Sequence, residues 1–377
     1  MFLSHVSLFD FRNYAELDIA FERSATVLFG GNAQGKTNLL EAVALTALGR
    51  SPRTAQPAEL VRFGQPAARV TCTVQTEAGA QTLETRIHVV TLQAGGVRSQ
   101  KRFRLNGVER SLSEMLGHLK VVLFWPDDLQ LVKGPAQGRR RFLNTLLSQL
   151  DRVHARQLQE FEHALEQRNA LLRAIREGRQ PLDALTTWTD LVADLGAQIM
   201  VERQRRVLDL QPISAAFHRE LTDDREQLEI RYRPAGARIG EAPPELVAEQ
   251  LRAAMAEARD EELARGQTAV GPQRDDLEVW LDEREARLFA SQGQQRTAVL
   301  SLKLAELQYL ADATGEQPVL LLDDVMSELD PSRRERLLAA LEPGPQALVT
   351  AADLRDLPRS IVERAAVFQV ERGAVHA

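Results

Sequence analysis

One octapeptide constrains the fold of this chain more than any other feature of its 377 residues. Residues 30–37 read GGNAQGKT and match the pattern G-x-x-x-x-G-K-[ST] at every fixed position. A short apolar strand is predicted at 25–29 and a helix at 37–48, so the motif lies between a strand and a helix. Because a phosphate-binding loop needs this setting, the sequence predicts an α/β unit that contains one.

The residue types of this motif suit a nucleoside triphosphate, ATP, with Mg²⁺. Its glycines let the backbone wrap a phosphate chain, and the N–H groups then form an anion nest. Lys36 is expected to reach the β- and γ-phosphates, and Thr37 to ligate Mg²⁺. The alternative is a glycine-rich turn that ends in Lys-Thr by coincidence, which the flanking strand and helix disfavour. The predicted nucleotide-binding residues are Gly30, Gly31, Asn32, Ala33, Gln34, Gly35, Lys36 and Thr37.

A second candidate segment is an apolar strand that ends in two carboxylates, PVLLLDD at residues 318–324. A strand buried on both faces delivers such a group to the carboxyl edge of a parallel sheet, beside the phosphate loop. We expect Asp323 to hold Mg²⁺, through a water molecule, and Asp324 to be the base or orienting group for an attacking water. An apolar strand followed by Asp is common, so this prediction depends on the phosphate loop.

A third segment, ASQGQQR at residues 290–296, precedes a predicted helix at 297–313 and resembles the signature motif of ABC-type ATPases. A serine before a helix is also an ordinary N-cap. Its place upstream of 318–324, with a D-loop-like SELD at 327–330, favours the ABC interpretation. The resemblance implies that this serine serves the nucleotide of a second copy, so that two ATP molecules hold a twofold dimer. The residues concerned are Ser291, Gly293, Gln294 and Asp330.

The organisation of the chain differs between its ends and its middle. Residues 1–125 alternate strand patterns with one helix, and strand patterns return at 319–322, 347–349 and 363–370. Residues 137–222 lack them and place apolar side chains at three- and four-residue steps. These patterns predict the fold class α/β, with one unit built from residues 1–136 and 226–377, and the resemblance of the motifs implies that this unit is an ABC-type P-loop ATPase head. An up-and-down α-helical arm at 137–225 is inserted into it.

Four stretches are similar to the RecF family, in the SMC-like branch of the ABC ATPases. They are FRNY at 11–14, PDDL at 126–129 with KGP at 133–135 and RRRFLN at 139–144, GPQRDD at 271–276, and LDDVMSELD at 322–330. The resemblance spans essentially the whole chain. It implies an ATP-dependent homodimer in recombinational repair and replication restart, with slow DNA-stimulated ATP hydrolysis. It also implies binding of DNA (duplex, gapped or a single-strand/double-strand junction) and partnership with the RecR and RecO proteins.

Four positions depart from the wider superfamily. Asp324 stands where most ABC ATPases carry Glu, and Gln292 replaces the first glycine of the signature. Thr350 stands where many relatives use a histidine to sense the γ-phosphate, and Gln130 is a Q-loop candidate by position only. These departures favour a switch over a fast motor.

Two other classes of protein share part of this pattern. The ATPase subunit of a membrane transporter has the same core motifs, but the inserted arm and the missing histidine argue against it. A P-loop kinase of small molecules needs neither the segment 291–294 nor the D-loop-like segment. ATP-dependent dimerisation would distinguish the leading hypothesis from the kinase.

The charged residues offer further candidates. Arginine supplies 42 of the 47 basic side chains, and the net charge of −6 argues against indiscriminate binding of nucleic acid. Two clusters are candidates for phosphate contacts or, equally, for solvated faces: 139–141, and Arg98, Lys101, Arg102 and Arg104. Arg274 with Asp275 and Asp276 is either a structural ion-pair cluster, which we favour, or part of the nucleotide interface.

The sequence also predicts a cytoplasmic location and no contact with a membrane. Its apolar runs are far shorter than the roughly 18 residues that span a bilayer. The N-terminal segment has no basic n-region and meets Asp10 early, unlike a signal peptide. A single cysteine, Cys72, excludes a disulfide framework and a thiolate zinc cluster.

Overall fold

The computed structural model describes residues 1–91, 97–329, 331–339 and 344–376. The chain forms two compact units, one of Met1–Asp128 with Glu306–Ala377 and the other of Leu129–Ala305. The second unit is therefore larger than the arm predicted at 137–225. The physical reason is that the strands between residues 228 and 285 form a sheet of their own and pack against the long helix that precedes them.

The first unit contains a mainly parallel sheet with the order β15-β14-β3-β13-β12-β8. Neighbouring strands run parallel except for β15, which is antiparallel to β14. The runs predicted as strands at 319–322 and 347–349 lie within two central strands of this sheet, Val319–Asp323 and Ala347–Ala351. Both strands are buried at every residue, as expected for strands covered on both faces. Both predicted parallel strands are thus confirmed. In chain-order numbering the strands are β3 (Thr26–Phe29), β8 (Val121–Phe124), β12 (Val319–Asp323), β13 (Ala347–Ala351), β14 (Ala366–Glu371) and β15 (Ala374–His376).

An antiparallel sheet with the order β2-β1-β4-β5-β6-β7 forms the other layer of this unit. One face is buried and the other meets solvent, so apolar and polar residues alternate along β4. Cys72 points to the buried face as a small core residue, and burial raises the pKa of its thiol to about 12. The strands are β1 (Phe2–Phe11), β2 (Tyr14–Ala20), β4 (Ala67–Thr76), β5 (Gly79–Thr91), β6 (Val97–Leu105) and β7 (Val108–Arg110).

Helix α1 (Lys36–Leu48) lies between the two sheets and contacts strands of both. It is consequently buried around most of its circumference. The helix ends at Gly49, which has a left-handed φ of 68°. The shorter helices of this unit are α2 (Leu112–Met115), α11 (Val325–Glu328), α12 (Pro331–Ala339) and α13 (Arg359–Val362).

The second unit is mostly helical, and the predicted helical character of residues 137–222 is confirmed. Its helices are α3 (Gln130–Lys133), α4 (Ala136–Leu150), α5 (Arg152–Arg176), α6 (Thr186–Thr222), α7 (Pro244–Glu257), α8 (Arg259–Arg265) and α9 (Ala286–Phe289). Helix α10 (Gln292–Thr314) begins in this unit and ends in the first. A three-stranded sheet has the order β11-β10-β9, with β9 (Leu228–Arg233), β10 (Asp276–Leu281) and β11 (Arg284–Glu285).

Arg139 is a structural residue of the second unit. Its guanidinium donates to both carboxylate oxygens of Asp276, at 2.6 and 2.9 Å, and to the carbonyl of Gly134 at 2.8 Å. Only 4% of the residue is exposed. The interpretation of Arg139 as a contact for DNA phosphates is therefore wrong, because a buried bidentate ion pair already occupies the side chain.

The neighbouring Asp275 is also structural, as the sequence favours for this cluster. Its carboxylate accepts hydrogen bonds from Arg203, at 3.1 Å, and from the hydroxyl of Tyr232. Burial raises the pKa of Asp275, and the Arg203 guanidinium opposes that shift. The segment 271–276 thus stabilises the second unit from within.

Candidate nucleotide-binding site

The phosphate loop joins β3 to α1, and the first hairpin of the chain supports it from one side. Asn13 Nδ2 donates to the carbonyl of Gln34 at 2.8 Å, and the Tyr14 hydroxyl donates to the carbonyl of Gly35 at 3.0 Å. Gly35 has φ 125°, and a Cβ there would lie 2.7 Å from Asn13 Nδ2. Glycine is therefore required both by the backbone conformation and by the approach of the hairpin.

The last hairpin of the chain, β14–β15, supports the loop from another side. The N–H groups of Arg372 and Gly373 donate to the side chain and the carbonyl of Gln34, at 2.7 and 3.0 Å. Gly30 has φ 149°, and a Cβ there would clash with the carbonyl of Val370. Residues from both ends of the chain thus fix the loop before any phosphate binds.

Lys36 reaches back across the loop that it follows. Its Nζ donates to the carbonyls of Gly30 and Gly31, at 2.5 and 2.8 Å. Burial lowers the pKa of the ammonium group, and the charges of Asp324 and Asp323 oppose that shift. The cation is therefore held at the mouth of the anion nest, where it can donate to a phosphate chain.

A chain of hydrogen bonds connects α1 to the ends of β12 and β13. Thr37 Oγ1 donates to the two carboxylate oxygens of Asp323, at 2.8 and 3.1 Å, and Thr350 Oγ1 donates to Asp323 Oδ1 at 2.9 Å. The backbone N–H of Asp324 donates to Thr350 Oγ1, also at 2.9 Å. Burial raises the pKa of Asp323, whereas the two hydroxyl donors lower it. The single hydroxyl of Thr350 thus links both carboxylate residues.

These oxygen atoms fit Mg²⁺. The Thr37 hydroxyl and the Asp323 carboxylate are hard ligands within hydrogen-bond distance of each other. Mg²⁺ is usually bound by one or two protein groups together with phosphates and water. Within the described residues no group of three or more His, Cys, Asp or Glu side chains forms a metal cage. The donor set therefore suits a magnesium ion that binds with a nucleotide.

Residues 32–37 of the loop, Asp324 and Thr350 line a cleft of about 410 Å³. Arg53 also lines it, and sequence reasoning missed this residue because nothing distinguishes it from the other arginines. Its guanidinium donates to Asn38 at 2.8 Å and lies 3.3 Å from the buried carboxylate of Glu41. Glu41 also accepts two hydrogen bonds from Arg12, in the first hairpin. A second cation is thus positioned at the cleft in addition to Lys36.

The signature-like residues lie in the second unit. Ser291 is exposed at the N-terminus of α10, its Oγ accepts from the N–H of Gln294 at 3.3 Å, and its N–H donates to Gln294 Oε1 at 2.8 Å. The ordinary capping role of this serine is therefore present. Gly293 has open space where a Cβ would be, so nothing in the described residues requires glycine there. The fourth predicted residue, Asp330, lies outside the described residues.

The signature helix is tied to the long helix α6 through Glu226, which no sequence motif indicates. Gln294 Nε2 donates to Glu226 Oε1 at 3.0 Å, and Glu226 Oε2 lies 3.3 Å from the buried His218 Nε2. On its other side, His218 Nδ1 is 3.1 Å from the hydroxyl of Ser301, on α10. These contacts hold the N-terminal turn of α10 in one orientation.

A glycine-rich loop between a parallel strand and a buried helix, with a threonine that contacts the carboxylate of a second strand, defines a P-loop nucleotide-binding protein. Residues 2–375 match the family described as "RecF/RecN/SMC N terminal domain". The chain is 45% identical over 361 residues to the DNA replication and repair protein RecF of Symbiobacterium thermophilum, covering 95% of this chain and 93% of that protein. RecF of Gloeobacter violaceus is 40% identical, and the match covers 100% of this chain and 98% of that protein. The chain therefore belongs to the RecF family.

Solved structures agree with this assignment. The "recombination mediator protein RecF-ATPrS in RecFOR pathway" has a TM-score of 0.89 and 32% identity, and covers 100% of this chain and 97% of that one. The ATP form has a TM-score of 0.88 and 33% identity, with coverage of 99% and 96%. An Smc head domain bound to a domain of ScpA has a TM-score of 0.55, and the match covers 100% of this chain and 96% of that one. Because the identity is only 15%, this similarity shows the fold alone. Among the described helices, none has the length and hydropathy of a membrane span.

Proposed function

We propose that this protein is an ATP-dependent DNA-binding clamp that acts as a switch in recombinational DNA repair and replication restart, in the cytoplasm. The observation that carries the proposal is a cleft lined by Lys36 and Thr37, with the Asp323 carboxylate hydrogen-bonded to Thr37, in a member of the RecF family. Two relatives with 40–45% identity are DNA replication and repair proteins, and two similar solved structures hold ATP or ATPrS. Nothing in these relatives favours a transporter subunit or a small-molecule kinase.

In the proposed site, Lys36 neutralises the β- and γ-phosphates, and Thr37 and Asp323 hold Mg²⁺. The ion supplies charge neutralisation of the phosphates when it is bound. Asp324 is exposed at the cleft, and its backbone N–H is fixed by Thr350, so its carboxylate can orient a water molecule and accept its proton. Because Asp is one methylene shorter than Glu, we expect slow hydrolysis, which DNA accelerates.

ATP is proposed to join two copies through the signature residues. Ser291 is exposed, and the space beside Gly293 is open for a phosphate or a second chain. Directly before them, Leu288 and Phe289 are 63% and 67% exposed, an unusual exposure for large apolar side chains next to a polar motif. Both features suit a surface that a second copy covers, with Ser291 on the nucleotide of the partner. Gly293, Gln294 and Asp330 are proposed to complete that composite site.

RecR and RecO are the proposed protein partners. The pathway named with two of the similar solved structures is RecFOR, and those structures are of its mediator RecF. A switch that closes on DNA in the ATP state would give such partners a nucleotide-dependent surface to bind. DNA at gaps or single-strand/double-strand junctions is the proposed substrate.

Asp324→Asn should trap the ATP-bound dimer, because Lys36, Thr37 and Asp323 still bind the nucleotide while the water loses its base. We expect turnover to fall by about 10²-fold or more and the ATP dimer to persist longer than that of wild type. Steady-state phosphate release and size-exclusion chromatography with ATP measure the two effects. Wild-type turnover in this variant would assign the base to another group, with Asp323 the next candidate.

The DNA-binding proposal is tested by fluorescence anisotropy with labelled single-stranded, duplex and gapped DNA, with and without ATP. Duplex-containing DNA should bind more tightly with ATP than without it, and the gapped substrate should bind at least as tightly as the continuous duplex. Equal binding with and without ATP would refute the switch. No binding to any substrate would refute the clamp.

A further inference from the structure

The solvent face of the antiparallel sheet carries a row of arginines that its strand register creates. Arg69 on β4 pairs directly with Arg86 on β5, and Arg86 pairs with Arg102 on β6. Paired residues on neighbouring strands point to the same face, so the three side chains stand side by side. Phe9 on β1 pairs with Arg69 and ends the row. We name Arg69, Arg86 and Arg102 the arginine row.

This arrangement is unfavourable for folding alone, since like charges directly opposite each other on adjacent strands repel. Neighbouring groups offset this repulsion only in part. Arg86 forms an ion pair with Glu84 at 2.7 Å, and the guanidinium of Arg69 lies 5.8 Å from the centre of the Phe9 ring. The side chain of Arg102 is exposed and makes no ion pair or hydrogen bond with the residues that the structure describes.

The rest of the face carries charges of both signs. Arg104 lies on the same face, 3.9 Å from Glu84 and paired in register with Glu109, and Arg98 is exposed further along β6. Lys101 belongs to the opposite face, where its Nζ donates to the carbonyl of Gly49, so the cluster suggested by the sequence loses that member. The acidic residues Glu16 and Asp18 lie on β2, the edge strand next to β1, where Glu16 pairs in register with Phe9.

We propose that the arginine row binds the phosphate backbone of duplex DNA; this inference rests on the DNA-binding function proposed above and locates it. Strands are about 4.8 Å apart, so the row spans roughly 10 Å. Duplex DNA carries one charge per about 1.7 Å of its axis, or about six charges over that length. Guanidinium groups bind phosphate bidentately, and three of them stand side by side here in a chain whose net charge is −6.

The chemistry of the face favours the backbone over unpaired bases. Single strands bind on exposed aromatic rings that stack with successive bases. The three members of the row are not aromatic, and the one ring that pairs with the row, that of Phe9, lies at its end with the Arg69 guanidinium 5.8 Å from the ring centre. An acidic segment of a partner protein is the competing occupant, and the experiment below separates it from DNA.

The test compares two double variants with the same change of charge. R69A/R102A removes the two outer members of the row, whereas R23A/R355A removes two exposed arginines elsewhere in the same unit. Arg23 matches Arg69, because it also lies over a phenylalanine ring, that of Phe2 at 4.7 Å. Arg355 is exposed like Arg102 but forms an ion pair with Asp353 at 2.7 Å, so this variant controls for the loss of two positive charges and not for the loss of an unpaired arginine. Affinity for a labelled duplex is measured by anisotropy with ATP, across a series of salt concentrations.

We expect R69A/R102A to bind the duplex about tenfold or more weakly, with the slope of log K against log[salt] reduced by about 2. R23A/R355A should bind like wild type. R69K/R102K keeps both charges, so it should retain most of the affinity and the salt slope. ATP affinity, ATP-dependent dimerisation and the thermal midpoint should be unchanged in all three variants, which shows that each is folded.

Each contrary result has a distinct meaning. If wild type binds the duplex and R69A/R102A binds it equally well, the row is overturned while the clamp stands. Equal losses in the row and control variants would assign the effect to net charge and also overturn the row. Unchanged DNA binding with loss of binding to purified RecR or RecO would make the row a protein-docking surface. Absence of DNA binding by wild type would overturn the proposed function itself, and the row with it.

Discussion

Lys36→Met should abolish nucleotide binding. The Lys36 ammonium already lies within the loop, where its Nζ donates to the carbonyls of Gly30 and Gly31. With a nucleotide it would instead donate to two phosphates, and hydrogen bonds to charged groups contribute about 1.5–3 kcal/mol each. Losing both weakens binding by roughly 3–6 kcal/mol, which is about 100-fold or more. Titration of a fluorescent ATP analogue measures this loss directly.

Lys36→Arg is the matched control for charge. The guanidinium keeps the positive charge but places it differently, so binding should survive while hydrolysis falls. The thermal midpoint without nucleotide should be similar in both variants, because the loop is held by the two terminal hairpins rather than by Lys36 alone. Wild-type turnover in Lys36→Met would show that the phosphate loop is not the site of ATP hydrolysis.

The parts of the site that the sequence predicts are those with a local signal. The eight residues of the phosphate loop are contiguous, and together with that loop the apolar run before Asp323 favours a strand buried on both faces. Parallel strands place their carboxyl ends at one edge, so the contact of Thr37 with Asp323 follows from two short segments. For this reason the core of the site could be predicted although 286 residues separate these two side chains.

The supports of the loop could not be predicted, because they come from distant parts of the chain. Asn13 and Tyr14 contact the loop across one hairpin, and Arg372 contacts it from the other end of the sequence. The sequence analysis identified the FRNY segment at 11–14 as similar to the RecF family. It did not show that Asn13 and Tyr14 donate to the carbonyls of Gln34 and Gly35. Arg53 has no local signal at all, since its place at the cleft depends on Glu41 and Asn38.

The sequence alone does not distinguish buried, structural arginines from arginines that form an exposed surface. The run 139–141 has the composition of a DNA contact, yet Arg139 is buried against Asp276. By contrast, Arg69, Arg86 and Arg102 are scattered in sequence, and only the strand register aligns them. The boundary of the second unit was missed for a similar reason, because β9 and β10 pair with each other across more than 40 residues of helix and loop.

Ser291→Arg is the second variant with a large expected effect. It should leave ATP binding by the monomer nearly intact and raise the dissociation constant of the ATP dimer about 100-fold or more, because a bulky cation fills the position where a partner's γ-phosphate must approach α10. Ser291 also caps this helix, and loss of the cap costs about 1 kcal/mol. Ser291→Ala loses the same cap without adding bulk, so its thermal midpoint calibrates that cost. Analytical ultracentrifugation with ATP measures dimerisation.

A mixture of Ser291→Arg and Lys36→Met subunits provides the sharper test of action in trans. Each heterodimer contains one composite site with both defects and one with neither, because the phosphate loop of one copy meets the signature of the other. The intact site should restore part of the ATPase activity that each variant lacks alone. The gain should be modest, since one ATP must hold an interface that two normally close. A Ser291→Arg protein that dimerises with ATP as wild type does would end the ABC interpretation of residues 290–295 and leave Ser291 with its capping role alone.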